Sequence, residues 1–298
     1  MSTLVKTIIA TGASSGLGFE AVKQLLQQSQ QRYRFILGAR HAAKAREDYA
    51  ALAFDASEHH VTVLPLELSN LRDVRTFARQ ALDALGNEKV DFLLLNAAMS
   101  SGAEKPGPFG SKWCESHVVN HLAQHYLVHL LRDKLVESRS RLVFVSSGAV
   151  RNVPDPTALD EDLKGGSGTP FQTVYSETKF ANLLAAHWWC RQLRGQCAVV
   201  AVSPGLIPDT GLGRNFATKL SMDIPDAKPV SEGAQSILRA FFRDDFPEDP
   251  DQIFLTSWGE WWPKEVYEKT LDKALQDKWC PSKEELENEI ESQRGSGA

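Results

Sequence analysis

The sequence predicts an α/β fold: a doubly wound parallel sheet in a single domain. Three observations predict it. Short apolar runs of strand length alternate with amphipathic helical stretches from the first residues onward. The runs read as strands buried on both faces, as parallel strands are. A glycine-rich segment also separates the first run from the first helical stretch, the arrangement of a strand–turn–helix ligand site.

Leu4 to Ala10 reads as the first strand, and Phe19, Val22, Leu25 and Leu26 then mark one face of a helix. Phe35 to Ala39 is the second strand, followed by an Ala-rich helix from Ala42 to Ala53. Val61 to Leu66 is the third, and Leu71, Val74, Phe77, Ala78, Ala81 and Leu85 recur at helical spacing after it. Asp91 to Leu95 follows, then a long helix over Lys112 to Val136 and a fifth strand, Arg141 to Val145. A Pro/Gly-rich excursion from Asn152 to Thr169 precedes a helix over Thr173 to Arg194 and the strand Ala198 to Val202. A helix over Ser231 to Phe242 and a strand around Ile253 to Leu255 complete the pattern. One domain is expected over 1–286, with a frayed polar tail over 287–298.

With 298 residues, 42% hydrophobic and 24% charged, the chain has ordinary globular composition. A formal net charge of -5 without long runs of one sign gives no reason to expect nucleic acid or an anionic membrane as partner. The start lacks the pattern of a secretory signal, and no apolar run approaches the roughly 20 residues that span a bilayer. Cys114, Cys190, Cys197 and Cys280 form no CxxC pair, so a reduced, cytoplasmic protein is expected.

The first strand runs into Thr11-Gly12-Ala13-Ser14-Ser15-Gly16-Leu17-Gly18. Glycines let the chain turn sharply and let a pyrophosphate approach N–H groups at a helix N-terminus. Gly12, Ser14, Ser15, Gly16, Leu17 and Gly18 are therefore candidate cofactor contacts. At the end of the second strand, NAD enzymes carry a carboxylate for the ribose 2′-hydroxyl. This chain has Gly38-Ala39-Arg40-His41 instead, and a guanidinium suits a 2′-phosphate. NADP(H) is thus the expected cofactor, unless Arg40 is only a solvated surface residue. Glu67 stands where an acid receives an adenine amino group or merely starts a helix, and Leu68 beside it is a further cofactor candidate.

The fifth strand ends in Val145-Ser146-Ser147-Gly148, at the sheet edge where doubly wound folds bind ligands. Tyr175 and Lys179 are four apart on an expected helix and share a face. Reducing a carbonyl makes an alkoxide that needs a proton, and an unperturbed phenol, with a pKa of about 10, gives one up reluctantly. A neighbouring ammonium and an oxidised nicotinamide both favour phenolate and bring Tyr175 toward neutrality. Ser147 can hold the substrate oxygen.

Thr11 to Gly18, Asn96-Ala97-Ala98, Asn120, Ser146-Ser147, Tyr175 to Lys179 and Ser203-Pro204-Gly205 occur in the order found in short-chain dehydrogenases/reductases. The chain resembles that family over roughly Lys6 to Thr210. The resemblance implies the Rossmann fold with a C-terminal segment, about 205–286, that covers the substrate, with Tyr175 as acid/base and Ser147, rather than Ser146, as the substrate-oxygen anchor. It makes Lys179 the ribose-binding modulator of the phenol and gives Asn120 a water in the proton relay. Asn96 and Ala97 fall at the cofactor, and Pro204, Gly205 and Thr210 close over nicotinamide and phosphates. Leu37-Gly38-Ala39-Arg40, Val119-Asn120-His121-Leu122, Leu159 to Leu163 and the long interval from Ser147 to Tyr175 are most similar to the retinol dehydrogenase and protochlorophyllide reductase branch, largely NADPH-dependent. Leu95 and Glu67 depart from the family's usual Asn and Asp. A homodimer or homotetramer through the two long helices is what the family implies.

His117, His121, His125 and His129 form a stripe at strict four-residue spacing. No carboxylate or cysteine completes a metal site there, so no metal is expected. Packing against a neighbouring helix or a second subunit is expected instead, weakened by protonation near pH 6. Phe241, Phe242, Trp258, Trp261, Trp262 and Trp279 serve mostly as core and subunit packing, with some walling an apolar pocket. The loop Ser100 to Gly110 and the excursion Asn152 to Thr169 are expected as further walls. The leading reading is carbonyl reduction or alcohol oxidation on a mostly apolar small molecule. C=C reduction and a catalytically idle NADPH-binding sensor or scaffold are the alternatives.

Overall fold

The structure, a computed structural model, describes residues 4–208, 210–212, 221–224 and 226–292. Its strands are β1 (Lys6–Thr11), β2 (Tyr33–Ala39), β3 (His60–Pro65), β4 (Phe92–Leu95), β5 (Arg141–Val145), β6 (Ala198–Val202) and β7 (Phe254–Leu255). They form one seven-stranded sheet in the order β3-β2-β1-β4-β5-β6-β7, parallel throughout. Successive side chains enter opposite apolar layers, so Ile8, Leu94 and Val143 lie in one core and Ile9, Leu93 and Leu142 in the other. Burial on both faces is why these strands read as continuous apolar runs.

The helices are α1 (Gly16–Leu26), α2 (Ala42–Ala50), α3 (Leu71–Leu85), α4 (Glu115–His117), α5 (Ala123–Ser138), α6 (Leu159–Asp162), α7 (Phe171–Gln192), α8 (Val230–Phe242), α9 (Lys273–Trp279) and α10 (Lys283–Ser292). α1, α2 and α8 supply one core, while α3, α5 and α7 supply the other. α3 shows how sequence sets bounds: the Asn70 side chain accepts from Arg72 N at 3.1 Å, and Gly86 ends the helix at φ 61. A π turn over Val118–Leu122 joins α4 to α5, so the predicted long helix is continuous but locally widened around Asn120. Such turns recur at functional sites.

Strand order reverses between β1 and β4. β2 and β3 lie to one side and β5 to β7 to the other, which opens a crevice beyond the carboxyl ends of β1 and β4. Doubly wound folds bind their ligands at such a crevice.

The C-terminal region departs from expectation. The tail expected from Glu287 is helical as far as Ser292, and Leu286 and Ile290 of α10 are buried; residues 293–298 lie outside the described residues. α9 and α10 cover α5 and α7, with Arg72 donating to Ile290 O at 2.7 Å and Tyr126 to Glu287 at 3.3 Å. The histidine stripe faces this layer. His121 meets Trp279 O at 2.6 Å, His125 meets Pro281 O at 2.8 Å and accepts from Trp189 Nε1 at 3.0 Å. Its partner is thus the chain's own C-terminal segment and α7. Burial pushes His121 and His129 down to about 4, and His117 and His125 well below the ordinary imidazole range. Protonation of the stripe is displaced from the expected pH 6. Among the described residues no helix is long and apolar enough to cross a membrane.

Candidate active site

The crevice is a cleft of about 580 Å³. Its floor is the turn after β1. Gly12 has φ 64, and a Cβ there would stand 2.5 Å from Ala97 Cα, so the position needs glycine for both conformation and space. Asn96 Nδ2 donates to Gly12 O at 2.8 Å, and Thr11 Oγ1 accepts from Asn96 N at 3.1 Å and Ala97 N at 3.2 Å. These bonds bolt the turn to the end of β4. Ser14 and Ser15 are exposed at the mouth. The first turn of α1 has no acidic residue and no side-chain cap, leaving its N–H groups for an anion. Tyr49 was not anticipated: buried on α2, it donates to Ala13 O at 2.5 Å and fixes the turn from behind. Nothing in the pattern around Tyr49 announces that bond.

Arg40 follows the last residue of β2, is exposed, and lines the cleft. Among the described residues it makes no ion pair. Glu67 and Leu68 line the same end; one Glu67 oxygen accepts from Ser69 N at 2.9 Å, so the carboxylate both faces the cleft and shapes its own turn. Pro204, Gly205 and Thr210 form the far wall. Gly205 has φ 86, and Thr210 lies 3.7 Å from where a Gly16 Cβ would stand.

Ser147, Tyr175 and Lys179 meet at the carboxyl end of β5. The Tyr175 phenol is hydrogen-bonded to Ser147, whose Oγ also accepts from Ala149 N at 3.1 Å. Ser146 instead spends its hydroxyl on Lys179 O at 3.0 Å, so the two serines are divided between site and scaffold. Lys179 Nζ is buried 5.9 Å from the Tyr175 ring centroid and donates to Val145 O at 2.8 Å. Burial pushes its ammonium down to about 7. Burial also pushes the Tyr175 phenol up, against a smaller lowering by the Ser147 bond. The protein alone therefore does not bring Tyr175 toward neutrality.

Asn120 is buried behind the cleft rather than on its wall. Its Oδ1 accepts from Met99 N at 2.8 Å, and its Nδ2 donates to Met99 O and Thr178 Oγ1, both at 2.9 Å. These bonds engage the whole side chain with protein. Through them Asn120 ties the loop after β4 to α7.

The walls also differ from expectation. None of Ser100 to Gly110 lines the cleft, and of the excursion only Asn152 does. Among the described residues of 205–286, the lining comes from 205–207, 210–212, Asp226 and Trp262; residues 209, 213–220 and 225 of this segment lie outside the described residues, while α8 and β7 belong to the sheet layers and α9 and α10 to the outer cover. Of the C-terminal aromatics, Trp262 walls the cleft, Phe241 packs on Phe92, and Trp279 packs on His117.

The profile of the family described as short chain dehydrogenase matches residues 6–158. The chain belongs to that family. This short-chain dehydrogenase is 56% identical over 289 residues to a short-chain dehydrogenase/reductase of Pestalotiopsis microspora, covering 96% of this chain and 99% of that one. It is 31% identical over 223 residues to mouse retinol dehydrogenase 14, covering 71% and 64% of the two chains. Similarity to mouse retinol dehydrogenase 12 is 27% over 285 residues, with 92% and 85% covered. The dehydrogenase thus stands close to the retinol dehydrogenase branch. Its fold is that of the NADPH-bound carbonyl reductase from chicken fatty liver, with TM-score 0.66 at 19% identity over 88% of this chain and 95% of that one.

Proposed function

We propose that the protein is an NADP(H)-dependent oxidoreductase that moves a hydride between nicotinamide and the carbonyl or alcohol carbon of a mostly apolar small molecule, with Tyr175 as acid/base. The observation that carries this reading is one cleft in which Ser147, beyond the end of β5, meets Tyr175 and Lys179 of α7, with Arg40 after β2 making no ion pair among the described residues. The glycine turn fits a pyrophosphate, and Arg40 fits a 2′-phosphate where an acid would repel it.

When bound, the reduced nicotinamide supplies the hydride. The Ser147 hydroxyl orients the carbonyl oxygen, and Tyr175 Oη donates its proton to that oxygen as the carbon is reduced. In this direction the phenol must arrive protonated, and burial keeps it so. For alcohol oxidation the same oxygen takes the proton back, and a charged Lys179 then favours the phenolate. Asn120 and Ser146 hold α7 and β5 in register for this exchange.

The test is cofactor consumption over a panel of aldehydes, ketones and enones with NADPH and NADH in parallel. The expected result is turnover of simple carbonyls with preference for NADPH. Reduction of enones alone, or equal use of NADH, contradicts the reading.

A further inference from the structure

The cleft wall beyond Ser147 holds a second arginine. Arg151 lies in the short turn Gly148–Asn152 that follows the anchoring serine, is exposed, and lines the cleft. Its guanidinium carbon lies 5.2 Å from the Trp262 ring centroid, and its Nε donates to Gly148 O at 3.0 Å. Those two contacts restrain the group against the cleft wall. Among the described residues its two terminal amino groups have no acceptor and no acid pairs with it, although Glu115 lines the same cleft.

Arg151 follows a different strand from Arg40. β1 and β4 lie between β2 and β5, a separation of roughly 14 Å at the usual strand spacing. It sits instead on the segment that carries Ser147, at a fixed offset from the reacting oxygen. A guanidinium held beside an indole, with no acceptor for its outer N–H groups among the described residues, is a receptor for a planar oxyanion.

We propose that Arg151 selects carbonyl substrates bearing an ionised planar oxygen acid, a carboxylate in its simplest form, on an otherwise apolar body. This rests on reading the cleft as a carbonyl/alcohol site and makes that substrate class narrower. Arg151 binds the acid while Ser147 and Tyr175 engage the carbonyl, so its contribution falls on KM rather than kcat.

Two measurements test it. Calorimetric binding of naphthoate and naphthamide to the protein supplied with NADP reads recognition without turnover. The wild type is expected to bind naphthoate at least about tenfold tighter, Arg151→Gln to bind both alike, and Arg151→Lys to recover part of the difference. Turnover of para-formylbenzoate and its methyl ester should show the same tenfold KM ratio and its loss in Arg151→Gln. Equal binding by the wild type, or a preference that survives in Arg151→Gln, overturns the proposal. Charge discrimination in binding without consumption of NADPH on either aldehyde overturns the carbonyl reading and leaves Arg151 as an oxyanion site. Turnover without charge discrimination does the reverse.

Discussion

Lys179 Nζ donates to the main-chain oxygen of Val145, the last residue of β5, at 2.8 Å. A lysine that holds a strand end is buried, and burial pushes its ammonium from 10.5 down to about 7. The folded value lies below the unfolded one. Between about 7 and 10.5 the unfolded chain therefore binds the extra proton, and stability rises with pH across that window. Lys179→Met removes the charge and keeps the volume. The expected outcome is a higher melting temperature than wild type at pH 7 and a flatter rise toward alkaline pH, together with lost activity. Thermal melts of cofactor-free protein across the window check it, and a variant less stable than wild type throughout would count against the burial argument.

Arg40 bears on the cofactor alone. Arg40→Ala should raise KM for NADPH about tenfold to a hundredfold, the scale of a lost charge-assisted bond, while KM for NADH moves by less than about twofold. Steady-state kinetics with both cofactors read the two values. An equal effect on both would assign Arg40 to the fold or to the pyrophosphate.

The histidine stripe predicts acid sensitivity. Burial holds His121 and His129 near 4, below their ordinary 6.5. Stability conferred by the neutral rings is complete above about 6.5 and is lost as pH falls toward 4. Trp188, Trp189 and Trp279 touch the stripe, so tryptophan emission should report release of the C-terminal cover on acidification from pH 6.5 to 4. Between pH 8 and 6.5 the emission should stay constant. A transition centred above 6.5 would contradict the burial of these rings.

Much of this was legible in the sequence because it rests on local rules. Arg141–Val145 and Ala198–Val202 have the expected bounds, since strands buried on both faces leave an unbroken apolar signature. The glycine turn, Arg40, Ser147, Tyr175 and Lys179 share one cleft because each stands at or beside a strand end or on a helix whose period is visible. The misses depend on tertiary partners. α10 is polar but for Leu286 and Ile290, a pair four apart that gains meaning only once α5 is beneath it. The stripe's period was plain, but its partner, Pro281, lies more than a hundred residues away. Asn120 carries a familiar position, yet its role follows from Met99 and Thr178. Arg151 and Trp262 come from segments that meet only in the fold.

The most direct measurement is NADPH consumption by wild type and Tyr175→Phe on the same carbonyl substrate, with calorimetry showing that both bind NADPH. Removal of one hydroxyl, hydrogen-bonded to Ser147 at the end of β5, is expected to lower kcat about a hundredfold to ten-thousandfold and to leave the melting temperature within a few degrees. Tyr175→Phe turning over at the wild-type rate would contradict the assignment of the proton to Tyr175 and, with it, the account of the site.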